Sequence, residues 1–152
     1  MFEMPRDRNN LPEKLFDTLQ KGLPALLITS GADGYPHTAF TFVAATQPNQ
    51  IAVVVDDGST TLANLQRTGQ ASVQILGNEN QVYLLKGRVR ISESKLKNSP
   101  VPSCRAVIEL QSVRNQAWLE IAVSPLNYIY SPQAAQRRAN AVPEIYAELR
   151  GE

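Results

Sequence analysis

The stretch Asp56-Asp57-Gly58-Ser59-Thr60-Thr61-Leu62-Ala63-Asn64-Leu65 decides the fold. Asp, Gly and Ser in succession punctuate a chain, and Ser59 offers a side-chain oxygen to the unpaired N–H groups of a helix start. Leu62 and Leu65 recur at helical spacing, and Gly69 stands where a C-terminal stop is needed. Residues 60–68 are therefore predicted to form a short helix capped by Ser59.

On either side of that helix the apolar pattern has the period of strands. Upstream, Ile51 to Val55 is a β-branched run too short for a stable helix, preceded by the turn Gln47-Pro48-Asn49-Gln50. Before it, His37 to Ala45 is rich in Thr, Phe and Val, Ser30 to Gly34 reads as a turn, and Ala25 to Thr29 as a strand. Leu15, Phe16 and Leu19, between Pro12 and Gly22, predict a short amphipathic opening helix.

Downstream, Ala71 to Leu76 reads as a strand, Gly77 to Asn80 as a turn, and Gln81 to Ile91 as a long strand. In that long strand Lys86, Arg88 and Arg90 share a face with Val82 and Leu84. Ser92 to Pro102 reads as an exposed loop. Arg105 to Val113 and Leu119 to Tyr130 are expected to be the last two strands, with a helix as the alternative for 105–114. Ser131-Pro132 opens a helix over Ala134 to Ala141, and Pro143 is expected to start a second one. This order lacks the alternating βαβ of a parallel sheet, so the fold class is mostly β (α+β), a small antiparallel barrel with short flanking helices.

The 152 residues, 43% of them hydrophobic and 19% charged, suit one packed domain over 1–152, with 131–152 as a helical tail within it. A formal charge of +1 gives no overall field toward nucleic acid or anionic membrane. Met1 to Arg6 precedes no apolar leader segment, and no run approaches the roughly 18 apolar residues of a spanning helix. Cys104 is the single cysteine, so no internal disulfide and no zinc cluster can form. A cytoplasmic protein without a metal site is expected.

Most catalytic constellations are absent. His37 is the sole histidine, and no Gly-x-Ser-x-Gly elbow, phosphate loop or Gly-x-Gly-x-x-Gly fingerprint occurs. His37 reads as a turn-flanking residue and Cys104 as an ordinary small one, so no catalytic side chain is nominated.

The segments Asp33-Gly34-Tyr35-Pro36 and Gly58 to Leu65 resemble the "DG-x-P" hairpin and the "GS-x-T-x-x-NL" helix start of the pyridoxamine 5′-phosphate oxidase-like family. The similarity continues through Ala71 to Ile75 and Gln81 to Val89, covering about the first 90 residues. The resemblance implies an antiparallel six-stranded split β-barrel. It also implies a homodimer with one FMN in each of two clefts between subunits, acting on a small-molecule substrate. The flavin phosphate would lie at Ser59, Thr60 and Thr61, where helix N–H groups and hydroxyls converge. The ring would lie along Phe40, Thr41, Phe42, Val54, Val55 and Asp56, with Gln81 nearby. Asn64 fits either a ligand contact or a structural hydrogen bond.

The chain also departs from that pattern. The oxidases carry an Arg-Lys pair immediately after the serine, where this sequence has Thr60 and Thr61, and bases on the preceding strand, where it has Ala39 and Ala44. Charge-assisted phosphate contacts are missing there, and Asp56 and Asp57 oppose a nearby dianion unless they point away. Lys86, Arg88 and Arg90, or Arg137 and Arg138 of a partner's tail, are the available compensation, although these bases read first as solvated surface. Trp118, Tyr128 and Tyr130 read as core or dimer-face packing. The function expected is an FMN-dependent oxidoreductase other than the vitamin-B6 oxidase. The alternative is a non-enzymatic split barrel holding a weak flavin, haem or deazaflavin.

Overall fold

The computed structural model describes residues 9–152; the Met1 to Arg6 segment lies outside the described residues. In chain order the elements are α1 (Glu13–Lys21), β1 (Leu23–Ser30), β2 (Pro36–Gln47), β3 (Gln50–Asp56), α2 (Thr60–Thr68), β4 (Gln70–Leu76), β5 (Val82–Lys95), β6 (Ser103–Asn115) and α3 (Pro132–Leu149). The six strands form a closed antiparallel barrel in the order β1-β2-β3-β6-β5-β4. Closure comes from three pairs between β1 and β4, Leu26↔Gln74, Leu27↔Val73 and Ile28↔Ser72.

Strand alternation fills the barrel. Leu27, Val43, Ile51, Val53, Val55, Val73, Ile75, Leu85 and Ile108 are buried in one cluster. Helix α1 adds Leu15 and Leu19 to that core. Between β5 and β6 the register slips after Lys86, and Gly87 lies so close to β6 that a Cβ there would stand 2.1 Å from the carbonyl oxygen of Glu109. Glycine is required for that close approach.

Helix α2 occupies the predicted residues. The Oγ of Ser59 accepts from the N–H of Leu62 at 3.1 Å, and Gly69 closes the helix in the left-handed region, its N–H donating to Leu65 O.

Three expectations need correction. Leu119 to Tyr130 is not a strand: it holds one isolated bridge, Trp118↔Ile121, and otherwise runs as irregular chain. Its apolar alternation looks strand-like, but it pairs with no strand of the barrel. It is pinned instead by single bonds, Leu126 N–H to Leu76 O at 3.0 Å and Val123 N–H to Asn80 Oδ1 at 3.0 Å. Next, β5 runs on to Lys95, which pairs with Cys104, so the exposed loop begins later than Ser92.

Finally, α3 is one helix through Pro143 rather than two. Arg138, Ala141, Val142, Ile145 and Leu149 follow helical spacing along one side, with partly buried residues before the proline and the buried Ile145 and Leu149 after it. That side rests on Ala44 and Ala52 of the barrel wall, with Phe42, Val54 and Tyr146 around them.

Candidate functional site

The barrel wall forks between β2 and β3. Their ladder begins at the Gln47/Gln50 turn and stops at Val43↔Val53. Beyond that point β2 remains paired only with β1, to Pro36, and β3 only with β6, to Asp56. Just past the last rung the buried side chain of Thr41 bridges the parting strands. Its Oγ1 donates to Val54 O at 2.8 Å and accepts from Val54 N–H at 3.1 Å.

A cleft of about 290 Å³ occupies the fork. Phe40, Thr41 and Phe42 line it from β2; Val54, Val55 and Asp56 from β3; Ser59 and Thr61 from the start of α2. Residues from outside those elements complete it: Ser99, Pro100 and Val101 of the β5–β6 loop, Tyr128 of the irregular segment, and Arg138 and Ile145 of α3.

Tyr128 anchors the base of the cleft. Its hydroxyl accepts from the N–H of Thr41 at 3.0 Å and lies 2.7 Å from Thr41 O and 2.9 Å from Ala25 O, which compete for its proton. The ring meets Phe40 and Phe42 edge-on, with centroids 5.9 and 5.4 Å apart. Burial pushes the phenol up to about 12, more than the two backbone contacts lower it. The phenol is thus neutral at neutral pH, with its hydroxyl engaged by the backbone of Thr41 and Ala25.

The charges divide unevenly. Asp57 turns away to pair with Lys95 Nζ at 2.7 Å. Asp56 stays on the cleft wall, and burial, reinforced by the charge of Asp57, raises its carboxyl above the ordinary range. Arg138 is the cation of the cleft. The Ser59 hydroxyl is engaged as a cap and donates to Asp56 O at 2.7 Å. Thr61 is 4% exposed, lines the cleft, and its hydroxyl has no hydrogen-bond partner among the described residues.

The β5–β6 loop is held in place by α3. Glu148 accepts from Lys97 N–H at 2.7 Å, Asn98 N–H at 3.0 Å and Asn98 Nδ2 at 3.1 Å, which fixes the approach to Ser99, Pro100 and Val101.

Of the residues singled out in the sequence, Phe40, Thr41, Phe42, Val54, Val55, Asp56, Ser59 and Thr61 meet in this cleft, whereas Thr60, Asn64 and Gln81 do not line it. Thr60 is exposed at the helix start. Asn64 is buried, donates to Thr29 Oγ1 at 3.0 Å and accepts from Arg67 at 3.1 Å, tying α2 to β1. Gln81 lines a separate groove beside α1, where its Oε1 accepts from Thr18 and its amide donates to Lys14 O. Lys86, Arg88 and Arg90 are exposed on β5 and His37 flanks the first hairpin, all outside the cleft lining. The Cys104 thiol is buried and pushed up by that burial, the opposite of an activated nucleophile. Among the described residues no cluster of His, Cys, Asp and Glu could hold a metal, and no helix is long and apolar enough to cross a membrane.

Sequence reasoning missed the loop 99–101 and Ile145, and it read Arg138 first as solvated surface, with a place in a partner's cleft as the alternative, whereas Arg138 lines the cleft of its own chain. It read Tyr128 as packing, without its place in the ladder. A cation on a helical tail was visible; where the tail folds back was not.

Comparison with known proteins agrees with this architecture. The sequence profile of the pyridoxamine 5′-phosphate oxidase family matches residues 11–129. No curated protein sequence matches the chain. Among solved structures, HupZ of Group A Streptococcus superposes with a TM-score of 0.58 at 14% identity, covering 77% of this chain and 99% of that one. An F420 reductase gives 0.56 at 14% identity, covering 70% and 100%. A conserved hypothetical protein of Mycobacterium tuberculosis gives 0.53 at 14% identity, covering 88% and 100%. At such identities the structures speak for the fold alone, and the profile over most of the chain carries the assignment: the chain belongs to the pyridoxamine 5′-phosphate oxidase family.

Proposed function

We propose that the protein is a flavin-dependent oxidoreductase that takes FMN in the fork between β2 and β3 and is not itself the B6 oxidase. One observation carries the reading: residues of β2, β3 and the start of α2 converge on a cleft that combines aromatic and aliphatic faces with hydroxyls and one cation. Small-molecule sites are built this way, mostly apolar with a few placed polar groups.

The donor set suits the parts of FMN. Phe40, Phe42 and Val54 offer apolar surface to a flat ring, Thr61 a free hydroxyl, and Arg138 a charge for a phosphate. The cleft of about 290 Å³ lies at the small end of ligand sites, which run from about 300 to about 1,000 Å³. A flavin would need surface beyond it, and Phe40, a residue 75% exposed, would offer that surface. A second copy covering that ring is part of this proposal, and a homodimer is expected in solution.

Bound FMN supplies the two-electron redox chemistry. The chain's own contribution is to bind and orient. Thr41 and Tyr128 fix the fork, Phe42 and Ile145 exclude water from its inner side, and Glu148 holds the loop wall. Asp56 stands on the wall with its carboxyl raised above the ordinary range by burial and by the charge of Asp57.

A second reading, a split barrel that binds a cofactor without turnover, draws support from Asp56 standing close to where a phosphate approaches α2. The double substitution Ser59→Ala/Thr61→Ala tests the phosphate position. Weakened FMN binding supports the assignment, and unchanged binding removes it.

A further inference from the structure

The family profile ends at residue 129, and α3 begins at Pro132, so the helix that closes the cleft lies outside the matched region. Within the match, the basic pair expected after Ser59 is replaced by Thr60 and Thr61. The cation of the cleft comes from beyond it, on α3.

Arg138 is half-buried and lines the fork together with Ser59 and Thr61, yet it has no ion pair or hydrogen bond among the described residues. An arginine with its stem against apolar surface and its guanidinium open to a cleft is placed to meet an incoming anion. Thr61 repeats the pattern, nearly buried on the same wall with an unused hydroxyl. Two donors in one cleft, both without acceptors, define a place for an anionic group.

The setting of α3 makes Arg138 a reliable donor. Ile145 and Leu149 are buried against the barrel, Glu148 binds the β5–β6 loop, Arg105 Nε donates to Leu149 O at 2.9 Å, and Arg150 Nη1 donates to Gln20 O at 3.0 Å. The anchored end of the helix thus projects Arg138 over the fork. Beneath the helix lies a small, mostly apolar slot of about 30 Å³ lined by Phe42, Pro100, Ala141, Val142 and Ile145 together with Arg137 and Arg138.

We infer that Arg138 is the phosphate-binding cation of the flavin site, supplied by the chain's own C-terminal helix in place of the basic pair missing at Thr60 and Thr61. The inference rests on the flavin reading and deepens it by naming the residue that distinguishes FMN from its uncharged parent, riboflavin. Guanidinium and phosphate match as a fork on two oxygens, which a lysine reproduces only as a point charge.

The test titrates FMN and riboflavin separately into the full-length wild type and into the Arg138→Gln, Arg138→Lys and Lys86→Gln variants, at low and high salt, with thermal unfolding of each as a folding control. Wild type is expected to bind FMN more tightly than riboflavin, with the difference shrinking as salt rises. Arg138→Gln should weaken FMN by roughly 10- to 100-fold while leaving riboflavin unchanged. Arg138→Lys should fall between, and Lys86→Gln, an exposed charge outside the cleft, should match wild type. If Arg138→Gln weakens both ligands alike, or leaves FMN untouched, the inference is overturned and the flavin reading stands. If wild type binds neither ligand, the flavin reading itself fails.

Discussion

Thr41 Oγ1 and the backbone of Val54 are joined at 2.8 and 3.1 Å at the point where β2 and β3 part, so one hydroxyl forms a rung just past the end of a ladder. A buried threonine at a fork performs two tasks: it ends the pairing without orphaning Val54, and it fixes the mouth of the cleft. Thr41→Val removes the hydroxyl at nearly constant volume and leaves both polar groups of Val54 unmatched. Stability should fall by about 1–3 kcal/mol in urea titration, and Thr41→Ser should recover most of it. Equal stability of Thr41→Val and wild type would show that the rung carries no weight.

Tyr128 provides a pH signature. Its folded-state phenol is raised to about 12 from the model-peptide value of 10.0, so the group favours the folded state in its neutral form. The corresponding stability is fully present below pH 10 and is lost as pH rises through about 12. Tyr146 is raised as well by burial, so the two add in the same direction. Thermal unfolding measured across this range should decline for wild type and more shallowly for Tyr128→Phe, which starts lower because Thr41 N–H loses its acceptor.

Residues 60–68 could be delimited from the sequence because a serine cap and a left-handed glycine are local signals that need no tertiary partner. Strands β1 to β3 followed from short apolar and β-branched runs bounded by turn residues, and β4 from period-two patterning, which are local signals as well. The segment 119–130 misled because alternation reports a residue's preference for a sheet but not whether a strand pairs with it; Leu119 and Ile129 are 93% and 96% exposed. The cleft divides along the same line. Its β2, β3 and α2 residues are close in sequence to the motif that marks the family, whereas Pro100, Tyr128 and Arg138 reach it through long-range folding that no local pattern encodes.

Glu148 should prove to be the clamp of the cleft's loop wall. Glu148→Ala removes the acceptor of three donors from Lys97 and Asn98. Amide exchange at residues 97–98 should accelerate by at least tenfold, as expected for loss of about 1.5–3 kcal/mol, with strands β1 to β3 unaffected. Unchanged exchange at both amides would place the loop's order elsewhere.

Gly22 sets the seat of α3. It has φ 88°, and a Cβ there would stand 2.2 Å from the ring of Tyr146. Gly22→Ala therefore meets both backbone strain and a clash, and it should cost about 2–4 kcal/mol. Adding Tyr146→Ala removes the clash but not the strain, so the double variant should fall short of additivity. Strict additivity in calorimetry would contradict the contact.

Asp56 is expected to oppose the ligand. Asp56→Asn removes a carboxylate from the cleft wall, and FMN affinity should rise by roughly fivefold at low salt, less at high salt. A decrease would mean that the carboxylate contacts the ligand favourably.

The central claim is that the fork between β2 and β3 holds a flavin, and the visible absorption spectrum of the purified full-length protein tests it most directly. With FMN added and excess removed, the account predicts a yellow protein with flavin bands that are perturbed from those of free FMN and scale with protein concentration. A colourless protein that retains no flavin after the same treatment would contradict it.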